Sequence, residues 1–149
     1  QGRLAEIADA FRAAGYNTEA SRNIHGDIWH KLQNNATFNP ISAITMATTD
    51  LMLGDPLVRD LCVKVADELR MIGEALGIPA GIPGEQRFPT SSSRAAVTSM
   101  MSDMLRGREI ETEQLIGVAV ELSEITGVAA PFTRVLYGLT RLRARTMSG

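Results

Sequence analysis

Cysteine and lysine are nearly missing from this sequence: 149 residues hold one cysteine, Cys62, and two lysines, Lys31 and Lys64. A lone cysteine excludes an internal disulfide framework, so a packed core has to hold the fold. The net charge is only −2, with basic residues scattered along the chain, which gives no electrostatic case for nucleic acid as a partner. Apolar runs are interrupted by charge well short of the roughly 20 residues that a membrane span needs, and no signal peptide is visible. These absences leave the cytoplasm as the natural compartment and give no reason to expect a membrane partner. The two histidines, His25 and His30, lie off a shared helical face and have no third ligand nearby in sequence, so no metal site is expected. A Gly-x-Gly-x-x-Gly turn is also missing. The run Gly81-Ile82-Pro83-Gly84 lacks the strand, the lysine and the spacing of a phosphate loop.

What is present is 44% hydrophobic content, enough for one domain with a real core. The scarce lysines draw attention to the stretch from Trp29 to Ala43. At helical pitch Lys31, Asn35 and Asn39 follow one another at four-residue spacing and drift by about 80° around the axis, forming one polar line. Ile28, Leu32, Ala36 and Ala43 lie off that line and give the helix an apolar side. Asparagine is a poor helix former, and Asn34, Asn35 and Asn39 each cost a few tenths of a kcal/mol, roughly, so something should compensate. The thirteen arginines fill most basic positions. Lysine differs from arginine in that desolvation brings it toward neutrality, so a residue that must release a proton would be a lysine.

The helices can be placed along the chain. Leu4, Ile7, Ala8, Phe11 and Ala14 recur at helical spacing up to Gly15, and residues 16–21 suit an extended edge segment. Asn23 is an expected N-cap for the central helix, and Pro40 predicts a kink or break within it. Asp55-Pro56 starts a helix whose Leu57, Leu61, Val65, Leu69, Ile72 and Leu76 form a core stripe ending at Gly77, with Cys62 as a buried small hydrophobe. Residues 77–89, rich in glycine and proline, read as a loop. Candidate caps at Thr90 to Ser93 precede a methionine-rich helix with Ala95, Met100 and Leu105, closed by Gly107. A further helix begins near Glu113 and ends at Gly127. The last begins at Pro131, with Val135, Leu136, Leu139 and Leu142 as its apolar positions and Arg141, Arg143 and Arg145 complementing its dipole. Glu109 and Glu111 only superficially resemble a catalytic carboxylate pair, since glutamates near a helix start usually serve the dipole.

Trp29-x-Lys31-x-x-x-Asn35-x-x-x-Asn39-Pro40, followed by Ser42-Ala43, resembles the start of the C-terminal domain of ketopantoate reductases. A second block, Thr98-Ser99-Met100-Met101-Ser102-Asp103 with Gly107-Arg108, Glu111-Thr112-Glu113 and Gly117, is similar to that family's serine-methionine-x-x-aspartate run and the glutamate after it. The blocks stand in the family's order, Pro131 opens the last helix as it does there, and the resemblance covers nearly the whole chain.

The resemblance implies an all-α fold, the 6-phosphogluconate dehydrogenase C-terminal-like helical domain of a two-domain reductase. Residues 23–149 would be the substrate and catalytic domain. Residues 1–22 would be a helix and strand remnant of a Rossmann domain missing from this chain. It further implies an NADPH-dependent reduction of a 2-oxo acid, ketopantoate to pantoate on the coenzyme A pathway, with NADPH held mainly by the missing domain. In that scheme Lys31 is the general acid, Asn35 and Asn39 bind the substrate's distal hydroxyl, Ser99 binds its carboxylate, and Glu111 serves the nicotinamide ribose. Two positions depart from the pattern: Thr49 and Ala96 stand where the family often has asparagine, which leaves another substrate open. Two other readings stay open, a helical interaction or dimerisation module without chemistry and a related hydroxy-acid dehydrogenase. The apolar face of residues 2–21 is expected to meet a second copy or to dock on the helical body.

Overall fold

The computed structural model describes residues 2–79, 81–88 and 95–147. Helix α1, Gly2–Ala13, leads through an irregular segment to α2, Ile24–Thr45, followed by the short α3, Thr49–Gly54, and the long α4, Pro56–Ala75. A single turn, α5, covers Gly84–Arg87; α6 is Ser99–Leu105. A π-helical turn, Glu113–Gly117, runs directly into α7, Val118–Thr126, and α8 is Pro131–Met147.

Helix α2 is the hub, packed against α3, α4, α6, α8 and the π-helical turn. Its second half is buried almost all round, at Ala36, Thr37, Asn39, Pro40, Ile41, Ser42 and Ala43, as expected of a helix enclosed by its neighbours rather than lying on a surface. Small side chains let those neighbours approach. Asn23 caps it as expected, its Oδ1 accepting from Gly26 N at 3.2 Å. Of the kink or break expected at Pro40, the break is not seen: contacts around the second half of α2 outweigh one lost backbone bond, and the helix continues to a left-handed cap at Met46.

Helix α4 starts as read from its sequence, with Asp55 Oδ1 accepting from Leu57 N at 2.9 Å and Val58 N at 3.1 Å. Its stripe is core only in the middle. Cys62, Val65, Ala66, Leu69 and Ile72 are buried, whereas Leu57 at the first turn is 82% exposed and Leu76 lies past the end of the helix. Burial pushes the Cys62 thiol up to about 12, consistent with a small hydrophobe and not a nucleophile. Gly73 is required by close approach. A Cβ there would fall 2.3 Å from Trp29 Nε1, so the bare backbone forms the recess that takes the indole.

Elsewhere tertiary context moves the boundaries. Residues 16–21 are irregular, and among the described residues there is no strand for them to join. The 77–89 loop contains the α5 turn, tied to α4 by Gly84 N donating to Asp67 Oδ1 at 3.0 Å. The cap candidates at 90–93 lie outside the described residues. Residues 95–98 lie outside any helix, with Thr98 extended, so α6 begins at Ser99, later than its apolar pattern suggests. On α8 the buried face is Thr133, Leu136 and Thr140, while Val135, Leu139 and Leu142 are exposed. No helix among the described residues is long and apolar enough to cross a membrane.

Candidate functional site

The polar line on α2 sinks progressively into the body: Lys31 is exposed, Asn35 is partly covered and Asn39 is 4% exposed. The fold brings the second sequence block against its buried end. Asn39 Nδ2 donates to Ser99 Oγ at 3.4 Å, so two of the residues singled out from sequence meet across 60 positions. Deeper, Ser42 Oγ and Thr98 Oγ1 stand 2.7 Å apart in a buried hydroxyl pair, and Thr98 Oγ1 caps α6 by accepting from Met101 N at 3.2 Å. Thr49 and Ala96, the two departures from the family pattern, face each other. Thr49 N donates to Ala96 O at 3.1 Å, and Ala96 N donates to Thr49 Oγ1, also at 3.1 Å.

The two lysines differ in their surroundings. Lys64 forms an ion pair with Asp60 at 2.6 Å and lies 5.2 Å from the centre of the Phe132 ring. Lys31 has no ion pair or side-chain hydrogen bond among the described residues. One asparagine of the run is structural: Asn34 Oδ1 accepts from Arg87 Nε at 3.1 Å, while Arg87 Nη2 reaches His30 O at 3.0 Å. Burial holds the Arg87 guanidinium below its ordinary value. Partial burial, with Arg87 close by, also lowers the His30 imidazole.

Glu111 is exposed and lines an open groove of about 880 Å³ with Arg108, Thr112, Glu113, Arg141 and Arg145, and none of Lys31, Asn35, Asn39 or Ser99 is among the residues that line it. Beside it Tyr137 donates its hydroxyl proton to Glu113 Oε2, a bond that raises the phenol above its usual range. Among the described residues no three His, Cys, Asp or Glu side chains come together to hold a metal.

Sequence reasoning missed the Ser42–Thr98 pair, although both residues stood in the quoted blocks. A serine beside an alanine on a core helix reads as packing, and a threonine before a helix reads as a cap. Arg87 was missed because it sits in what reads as loop.

The sequence model described as "Ketopantoate reductase PanE/ApbA C terminal" matches residues 23–144. A 2-dehydropantoate 2-reductase of Mesorhizobium japonicum is 31% identical over 140 residues, covering 93% of this chain and 43% of that protein. A crystal structure of a Ralstonia solanacearum MolK2 protein assigned to the ketopantoate reductases superposes with a TM-score of 0.88 at 40% identity, covering 98% of this chain and 44% of the other. That of 2-dehydropantoate 2-reductase from Methylococcus capsulatus gives 0.85 at 31% identity, covering 100% and 52%. The chain thus spans about half the length of the relatives it matches. With the helical fold, the two sequence blocks joined at Asn39 and Ser99, and a family match over most of its residues, this chain belongs to the ketopantoate reductase C-terminal family.

Proposed function

We propose that residues 23–149 are the substrate-binding half of a two-domain reductase that converts a 2-oxo acid of the ketopantoate class to its 2-hydroxy acid. Residues 1–22 belong in this reading to the nucleotide-binding half. A nicotinamide cofactor, NADPH, supplies the hydride when bound. The chain contains no glycine-rich phosphate turn, so its own fit to that cofactor is limited to acceptors such as the exposed Glu111 carboxylate, suited to ribose hydroxyls.

As the carbonyl carbon is reduced, charge grows on its oxygen and a proton must reach it. Lys31 Nζ donates that proton as general acid. It is exposed here, so exclusion of water around it falls to the opposing half of the enzyme. Asn35 and Asn39 hold the substrate's distal polar group, and Ser99 hydrogen-bonds its carboxylate. The observation that carries this reading is the Asn39–Ser99 contact, which joins the lysine-bearing helix to the serine block at one place. Thr49 and Ala96 bond to each other where the family often has asparagine. These two positions therefore offer a substrate less side-chain polarity, and a 2-oxo acid with a less polar tail suits them as well as ketopantoate does.

The test is steady-state kinetics of the assembled reductase. Lys31→Ala should lower kcat by roughly 10² to 10⁴-fold, the usual contribution of a positioned general acid. Lys64→Ala, which removes a pair lying against Phe132, should leave kcat within about threefold. Equal losses in the two variants would remove Lys31 from its role.

A further inference from the structure

We infer that the buried Ser42–Thr98 hydroxyl pair is a positioning element that sets Ser99 against Asn39 and so controls how well the substrate carboxylate is bound. The inference rests on the role proposed for Ser99. Three contacts of different burial tie the strip Ala96–Ser99 to the α2–α3 corner. At one end Thr49 and Ala96 exchange two 3.1 Å bonds. In the middle Ser42, 0% exposed, stands 2.7 Å from Thr98 Oγ1. At the other end Asn39 reaches Ser99 Oγ across 3.4 Å.

Asn39 and Ser42 are three apart on one helix and so share a face, while Thr98 and Ser99 are adjacent in the segment packed against it. The register of the outer contact is therefore set by the inner one. The outer contact is long for a hydrogen bond and Ser99 is exposed, so it cannot fix the spacing itself. The inner contact is short and sealed from water. Thr98 Oγ1 additionally holds Met101 N, which locks the first turn of α6, where Ser99 sits, to the same point. Ser42 O also accepts from Met46 N at 2.8 Å, at the left-handed end of α2. Loss of the pair frees the strip to shift, and a displacement of about 1 Å at a reacting group is enough to cost up to 10²-fold.

The experiment is a double-mutant cycle on the assembled reductase, with KM for the 2-oxo acid as readout. Ser99→Ala should raise that KM about tenfold, and Ser42→Ala should raise it by a similar factor, with KM for NADPH unchanged in both. The double variant should match Ser99→Ala alone, because a positioning residue has nothing left to position. Thr98→Ser keeps the hydroxyl and the cap and should leave KM within about twofold of wild type, whereas Thr98→Val, which loses the cap as well as the pair, should raise it at least as much as Ser42→Ala does. Should Ser42→Ala fail to fold, the near-isosteric Ser42→Cys, whose thiol is a weak hydrogen-bonding partner, carries the same comparison. Multiplying effects of Ser42→Ala and Ser99→Ala, or equal damage from Thr98→Ser and Thr98→Val, would overturn the inference while leaving the role of Ser99 intact. An unchanged KM for Ser99→Ala would instead overturn that role, and the inference with it.

Discussion

Glu68 and Thr133 are joined by two hydrogen bonds: Glu68 Oε2 accepts from Thr133 N at 2.8 Å and from Thr133 Oγ1 at 2.7 Å. The other carboxylate oxygen accepts from Phe132 N at 2.9 Å. A side chain from the middle of α4 thus caps α8 just after Pro131, which has no N–H to offer. Glu68 is 5% exposed, and its side chain sits at the positive end of α8. Glu68→Ala leaves three donors without their acceptor, the two of Thr133 buried and that of Phe132 part-buried, and should cost about 3 kcal/mol in urea unfolding. Glu68→Gln turns an amide N–H₂ toward at least one donor and should lose somewhat less. A loss under about 0.5 kcal/mol for the alanine variant would show that water replaces the carboxylate at no cost.

Gly73 allows a second check on packing. Because its Cβ position falls on Trp29 Nε1, Gly73→Ala has to displace the indole. Overpacking of this kind costs about 1–3 kcal/mol, even though alanine is the better helix former. Trp29 is the only tryptophan, so its emission reports the site directly. The expected result is a red shift together with a lower melting temperature. A stabilised Gly73→Ala with unchanged emission would contradict the geometry.

What the sequence made legible was mostly local. The caps at Asn23 and Asp55, the stops at Gly15, Gly77 and Gly127, and the start at Pro131 depend on a few adjacent residues, and each is present in the fold. Where longer-range packing decides, local rules mislead. Pro40 does not break the enclosed second half of α2, and Leu57 and Leu139 keep the right periodicity yet face solvent. The Glu68 cap spans 65 positions and could not be seen in either segment. The resemblance grouped Asn39 with Ser99, and the fold adds their contact. That Thr49 and Ala96 bond to each other is likewise a matter of tertiary geometry. Glu111, grouped with the same set, instead lines a groove without the others.

His30 provides a pH prediction. Desolvation lowers its pKa from the ordinary 6.5, the Arg87 charge lowers it further, and Asp27 opposes both. Below pH 6.5 the folded protein therefore holds fewer protons on His30 than the unfolded chain, so unfolding takes up a proton. This contribution to stability is full above 6.5 and declines as pH falls through that window. Arg87→Gln removes the charge while retaining most of the cover over His30. By NMR titration the imidazole pKa should move upward but stay below 6.5, since burial is the larger cause. A downward or absent shift would mean that the guanidinium does not act on His30.

The last prediction concerns α1. Only Ala8 of this helix is buried, and Leu4, Ile7 and Phe11 are all about half exposed, with Phe11 set edge-on to Tyr16 at 5.9 Å. So little burial cannot anchor a twelve-residue helix to the body. An apolar stripe of that size is instead a surface for association. The cut has to respect the start of α2, where Ser21 Oγ accepts from Asn23 N at 3.0 Å and donates to Asp27. A version beginning at Ser21 keeps that start and removes the stripe. Its melting temperature should stay within about 4 °C of the whole chain's, a shift worth roughly 1 kcal/mol at this size. Sedimentation should show fewer dimers at the same concentration. A much lower melting temperature would mean that α1 is integral to the helical body, and an undiminished dimer would move the contact to another exposed apolar face, such as Val135, Leu139 and Leu142 on α8.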